Sequence, residues 1–292
     1  MKFAGCYTAI VTPFGSDGQV DLATLRRQIE FQAAGGVAGV VPCGTTGESP
    51  TLSDGEWERV IGATVEIARP LGLAVIAGTG SNNTHHAVTL QERAAALGAS
   101  AGLSVNPYYT KPTQEGMRRH FLAVADATEL PVVLYNIPGR TGVALNPETI
   151  ARLCEHPNIA AVKEATGSMD SASTIASLCD ITILSGDDSM TLPFCSVGAT
   201  GVVSVVSNIL PRKVQDLCDA CNGGDWSRAR SIHFELFDVC RGLLSLETNP
   251  IPIKTAMRLL GRDSGSLRLP MTEGTEATSA AVRSLLTRLK LI

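Results

Sequence analysis

In the segment Ile159-Ala160-Ala161-Val162-Lys163-Glu164-Ala165-Thr166 a single amine, that of Lys163, closes an apolar run. Burial there disfavours the charged ammonium, and a neutral amine attacks a ketone carbonyl to give a Schiff base. The bland alternative is a lysine that snorkels to solvent or pairs with Glu164. Gly44-Thr45-Thr46-Gly47-Glu48-Ser49 sets two hydroxyls between glycines, a turn able to offer N–H and O–H donors to a small carboxylate. A nucleotide phosphate loop would need a Gly-Lys-Ser/Thr ending, which is missing, and a plain tight turn is the other reading. Asn106-Pro107-Tyr108-Tyr109 and Tyr135-Asn136-Ile137-Pro138-Gly139-Arg140 hold three of the four tyrosines, as an aromatic lid or as proton carriers. Arg140 beside a pocket reads as a carboxylate ligand, and otherwise as half of a surface salt bridge. Gly186-Asp187-Asp188 and Gly201-Val202-Val203-Ser204 could lend backbone groups to a ligand carboxylate.

These residues need a scaffold that brings segment ends together, and the chain supplies one. Apolar runs begin near Thr8, Val37, Leu73, Ala101, Pro131, Ile159, Ile181 and Gly201, each without polar alternation, as strands covered on both faces require. Helical patterns lie between them. Asp21 caps one whose Leu22, Leu25 and Ile29 share a face and which Gly35-Gly36 ends. Ser53-Asp54-Gly55-Glu56 is a capping box ahead of Trp57, Val60, Ile61 and Val65. Asn146-Pro147-Glu148 places an N-cap before a first-turn proline. Eight strand–helix units predict an α/β protein, a (β/α)8 TIM barrel, whose catalytic groups project from the carboxyl ends of the strands. An open doubly wound sheet would carry a glycine fingerprint after its first strand, and none is there. Helical patterns over 211–222, 225–245, 251–261 and 275–290 exceed what the eighth unit needs. The expected division is a barrel over 1–223 bearing the catalytic site and a small C-terminal helical extension over 224–292.

Composition narrows the function classes. A net charge of −4 with no Lys/Arg run gives no footprint for nucleic acid. No stretch approaches the roughly 20 apolar residues that cross a bilayer, and no signal segment follows Met1, so a cytoplasmic protein is expected. The eight cysteines fall singly except for Cys218 and Cys221, which have no second pair to complete a zinc site. His85-His86 diverge on a helix and suit a helix-start surface better than a metal. No metal site is expected.

Taken together, the segments from Val11-Thr12-Pro13 through the two tyrosine motifs, Lys163-Glu164-Ala165-Thr166-Gly167, Leu184-Ser185-Gly186-Asp187-Asp188, Asn249-Pro250-Ile251-Pro252-Ile253-Lys254 and Leu267-Arg268-Leu269-Pro270-Met271 resemble the dihydrodipicolinate synthase family of the pyruvate-dependent class I aldolase and N-acetylneuraminate lyase superfamily. The likeness runs in order along nearly the whole chain. It implies condensation of pyruvate with L-aspartate-4-semialdehyde in lysine and diaminopimelate synthesis, with no metal or organic cofactor, in a homotetramer built as a dimer of dimers. Lys163 would carry the pyruvate imine. Tyr135, Thr45 and Tyr109 match the family's proton relay, the last reaching in from an adjacent subunit. Thr46 would hold the pyruvate carboxylate and Arg140 that of the semialdehyde, with Gly186 and the Val203 carbonyl lining the pocket. The family's lysine-feedback pocket is matched at Ser49, Asn82 and Tyr108. It departs at His86, where lysine-inhibited members have a glutamate, and at Asp54 and Trp57, where they have histidines. Losing that glutamate removes the main anchor for a lysine ammonium, so feedback should be weak or absent.

Other lyases of the superfamily share the lysine, the tyrosine and the Gly-x-x-Gly-Glu turn. Arg140 separates the chain from N-acetylneuraminate lyase, whereas some 2-keto-3-deoxy sugar-acid dehydratases also carry it and stay as the alternative. A non-catalytic binder that kept the barrel would be expected to have lost one of Lys163, Tyr135, Thr45 or Arg140.

Overall fold

The computed structural model describes residues 3–292; Met1 and Lys2, which open the N-terminus read above, lie outside the described residues. Eight parallel strands pair in chain order and close: β1 (Gly5–Thr8), β2 (Gly39–Val40), β3 (Ala74–Gly78), β4 (Ala101–Val105), β5 (Val132–Asn136), β6 (Ile159–Glu164), β7 (Thr182–Ser185) and β8 (Gly201–Ser204). Between them run α1 (Leu22–Ala34), α2 (Asp54–Ala68), α3 (Thr84–Ala96), α4 (Gln114–Asp126), the single turn α5 (Pro138–Thr141), α6 (Pro147–Cys154), α7 (Met169–Leu178) and α8 (Thr191–Cys195). After β8 come α9 (Pro211–Asn222) and the extension, α10 (Trp226–Ser245), α11 (Ile251–Leu259) and α12 (Glu276–Arg288). The (β/α)8 barrel with a C-terminal helical extension is the observed architecture.

Each strand buries both faces. Inward residues such as Ile76, Leu103, Val133, Ala161, Leu184 and Val203 fill the barrel as one cluster. Outward residues such as Val132, Leu134, Val162 and Ile183 pack under the helices. That double burial explains why the strands read as unbroken apolar runs. Leu236, Val239, Met257 and Val282 of the extension share a cluster with Leu25, Ile61 and Val214 of the barrel helices, so the two parts have one continuous core.

The first strand starts at Gly5, earlier than the run near Thr8 suggests. Closure decides this: Gly5 pairs with Gly201 across the β1–β8 seam, and a Cβ on Gly201 would lie 2.0 Å from the Gly5 carbonyl oxygen. Only a glycine at 201 lets the seam close so tightly, and Gly5 takes a left-handed φ of 91°. Ala9 N–H still donates to Ser204 O (2.8 Å) past the strand's end. The caps hold as expected at Asp21, which accepts from Thr24 N–H (2.9 Å), and at Ser53–Glu56, a complete capping box. Asn146 sits at the N-cap of α6 but its side chain makes no capping bond. Pro147 has already removed one of the free donors there.

Candidate active site

Alternation along the strands selects the reactive groups. In β5, Val133 and Tyr135 point inward; in β6, Ala161 and Lys163 do the same. Tyr135 and Lys163 are direct partners in the β5–β6 ladder, at its carboxyl end. Lys163 is 6% exposed, and its amine lies 4.0 Å from the centroid of the Tyr135 ring. The alternatives of a snorkelling lysine or a Lys163–Glu164 pair both fail on this geometry. Glu164 leaves on the opposite face, where its carboxylate accepts from Asn136 Nδ2 (3.1 Å) and Thr166 N–H (2.9 Å).

That outer face holds a network which sequence reasoning did not find. Asn106 Nδ2 donates to Asn136 Oδ1 (3.0 Å), Leu145 N–H donates to the same oxygen (2.9 Å), and Asn136 Nδ2 also reaches Leu145 O (3.0 Å). Asn106, Asn136 and Glu164 are all fully buried. Burial pushes the Glu164 carboxyl above its usual range, opposed by its bonds to Thr166 and Asn136. The network fastens three strand ends one residue beyond Val105, Tyr135 and Lys163, and ties them to the loop after Arg140. Buried polar groups bonded to one another in this way fix geometry more than they add stability, and Asn106 Oδ1 is left without a partner.

The Gly44–Ser49 turn leans on β3, where a Cβ on Gly78 would lie 2.0 Å from the Cys43 carbonyl. Thr12 Oγ1 donates to Gly47 O (2.7 Å). Glu48 takes a left-handed φ of 53°, rare for a residue other than glycine, and its carboxylate is buried against Lys254 of α11, with Nζ to Oε1 at 2.6 Å. Burial pushes the Lys254 amine below its usual range, an effect Glu48 opposes. Lys254 and Arg268, which donates its backbone N–H to Glu48 Oε2 (3.1 Å), were not singled out from the sequence as site residues. The available signal was charge in apolar company: Lys254 interrupts Ile251-Pro252-Ile253, and Glu48 is the lone charge of its turn.

A cavity of about 310 Å³ opens at the carboxyl ends of the strands, with Thr45, Ser49, Tyr108, Tyr135, Arg140 and Asn249 among its walls. Arg140, on α5, donates from Nη2 to Asn249 O (3.1 Å), and Asn249 Nδ2 donates to Thr46 Oγ1 (3.0 Å). One residue of the extension thus touches both sides of the mouth. Thr46, Lys163, Gly186 and Val203 stand outside the cavity walls, Lys163 meeting the cavity through the Tyr135 ring. Gly186 donates its N–H to Glu164 O (2.8 Å) at the end of β7, and Val203 is buried in β8. Tyr109 is not brought to the walls of this cavity: it is 88% exposed with φ 70°. Ser49 and Tyr108 line the mouth, Asn82 Nδ2 donates to Tyr108 O (3.3 Å), and His86 sits half-buried in the first turn of α3. Trp57 is buried with Nε1 donating to Gly78 O (2.9 Å), and Asp54 faces Arg93 (3.4 Å).

Beside β8, Asp188 accepts from the Ser204 hydroxyl and from the N–H groups of Val205 (2.9 Å) and Val206 (3.1 Å). Burial raises its carboxyl to about 6, against the lowering by these donors. Asp188 therefore fixes the chain that leaves Val203.

A cavity lined by the hydroxyl residues Thr45, Ser49 and Tyr135 and by Arg140, with the shielded Lys163 amine against the Tyr135 ring, suits imine chemistry on a small oxo acid. Residues 2–289 match the model of the dihydrodipicolinate synthetase family. A 4-hydroxy-tetrahydrodipicolinate synthase of Citrifermentans bemidjiense is 49% identical, covering 99% of this chain and 100% of its own. One from Leptospira biflexa is 51% identical over 95% of this chain and 94% of its own. A crystal structure of dihydrodipicolinate synthase from Aquifex aeolicus superimposes with a TM-score of 0.96 at 44% identity, covering 99% of both chains.

Proposed function

The chain belongs to the dihydrodipicolinate synthetase family, and on that premise we propose that it condenses pyruvate with L-aspartate-4-semialdehyde to 4-hydroxy-tetrahydrodipicolinate through an imine on Lys163. The observation that carries this reading is the Lys163 amine against the Tyr135 ring at a cavity that Arg140 also lines.

The Lys163 amine adds to the keto carbon of pyruvate and one water leaves, giving the imine. Loss of a methyl proton gives an enamine, whose carbon bonds to the aldehyde carbon of the semialdehyde. The amine of the semialdehyde then displaces Lys163 and closes the ring. Protons move in the enamine and condensation steps, and the hydroxyls of Tyr135 and Thr45 carry them, joined by Tyr109 from an adjacent subunit. Thr46 and neighbouring amides hold the pyruvate carboxylate; the semialdehyde carboxylate pairs with Arg140, whose planar fork suits it. Gly186 and the Val203 carbonyl line the pyruvate side. The reaction draws on no metal or organic cofactor. The enzyme works in the cytoplasm as a homotetramer, with neither nucleic acid nor membrane as partner.

Borohydride reduction in the presence of pyruvate, read by peptide mass spectrometry, should place one adduct on Lys163 and none in Lys163→Ala. An unmodified Lys163 would sink the imine. A coupled assay with aspartate-4-semialdehyde against sugar-acid aldehydes then decides the acceptor; a preference for the sugar acids would move the chain to the related dehydratases.

A further inference from the structure

We propose that Lys254 and Glu48 are positioning residues for the reaction: through their buried ion pair the C-terminal extension sets the turn that presents Thr45. This rests on the imine reading above and adds a part to it. Four observations converge. First, the pair is sealed, with side chains 0% and 1% exposed and a separation of 206 residues in sequence. Such a pair is a poor way to gain stability compared with apolar packing, so its use points to geometry. Second, every charged contact is used. Glu48 accepts from Lys254 Nζ (2.6 Å) on one oxygen and from Arg268 N–H (3.1 Å) on the other. Lys254 donates again to Ser266 O (2.7 Å) and stands 4.4 Å over the Phe14 ring.

Third, the backbone of Glu48 is left-handed, a conformation that persists in a non-glycine residue only when its surroundings over-determine it. Its N–H donates to the Thr45 carbonyl (3.1 Å), so the angle imposed at Glu48 is passed to Thr45. Fourth, Thr46 and Gly47 are held by distant residues as well, Asn249 and Thr12. The turn is clamped on three successive residues while Thr45 faces the cavity.

The decisive variant is the double Glu48→Gln/Lys254→Met, which removes both charges and strands neither in the core. It should fold, trap pyruvate on Lys163 to the wild-type extent and keep the pyruvate KM within about threefold, while kcat falls by about 10²-fold, the cost of misplacing a catalytic group by an ångström. Should the double variant not fold, Glu48→Gln alone is measured the same way; it keeps an acceptor for Lys254 and should give a smaller loss confined to kcat. A folded variant with kcat within about threefold of wild type overturns the proposal, as does a kcat loss matched by an equal loss of imine trapping. Failure of the wild type to trap pyruvate refutes the imine reading instead. If the wild type traps pyruvate but favours another aldehyde, the kcat comparison with that aldehyde decides the proposal.

Discussion

Tyr135 does two jobs that a single substitution can separate. Its ring packs against the Lys163 amine, and in the proposed relay its hydroxyl moves protons. Tyr135→Phe keeps the first and removes the second, so pyruvate should still be trapped on Lys163 while kcat falls by about 10²- to 10³-fold, the usual worth of a positioned proton carrier. Trapping and turnover lost together would count against the relay. Arg140→Ala should instead raise the KM for the semialdehyde by about tenfold or more and leave that for pyruvate unchanged, because only the second carboxylate loses its partner. Lysine feedback turns on His86, which stands where the resemblance places a glutamate. Without a carboxylate to grip the ammonium, millimolar lysine should leave the rate nearly unchanged; strong inhibition at that concentration would show that another group supplies the anchor.

Secondary elements were the most legible layer, because their causes are local. Capping at Asp21 and Ser53 and the unbroken apolar runs are each decided within a few residues of sequence. The Asn106–Asn136–Glu164 lock and the Glu48–Lys254 pair were not legible, since a buried polar residue reveals its partner only after folding. Tyr108 and Tyr109 show the limit in between: the motif was plain, yet which tyrosine lines the chain's own cavity depends on a left-handed backbone at Tyr109. The β7–β8 connection carries a pH prediction. Asp188 is raised from 3.8 to about 6 by burial, so the native state binds its proton more tightly than the unfolded chain. The stabilisation is full below about pH 3.8 and is lost as pH rises through about 6. Wild type should therefore lose about 2 kcal/mol against Asp188→Asn between pH 4 and 7, measured by urea unfolding at each pH. A stability difference that is flat with pH would show that Asp188 stays ionised throughout.

At the scale of the whole molecule, α10 presents a patch that one subunit leaves uncovered. Phe234 is 71% exposed, Phe237 42% and Trp226 39%, and the His233 ring meets Phe234 edge-on at 5.4 Å and Phe237 at a tilt at 5.5 Å. Contiguous aromatic surface of this kind marks an interface. In the proposed tetramer this patch is a subunit contact, so Phe234→Asp should lower the sedimenting mass while the circular dichroism of the barrel persists; an unchanged mass would place that contact elsewhere. The clamp on Glu48 also bears on how the enzyme is made. Its partner Lys254 is translated 206 residues later, a delay of on the order of 10–40 s at ribosomal speed. Lys163, Tyr135 and Thr45 have by then all been synthesised, yet the turn lacks its anchor, so a nascent chain stalled before α11 holds its chemical groups without working order. On the proposed role of the clamp, full turnover would belong only to finished copies, because the last part of the site's working order arrives with the C-terminal extension.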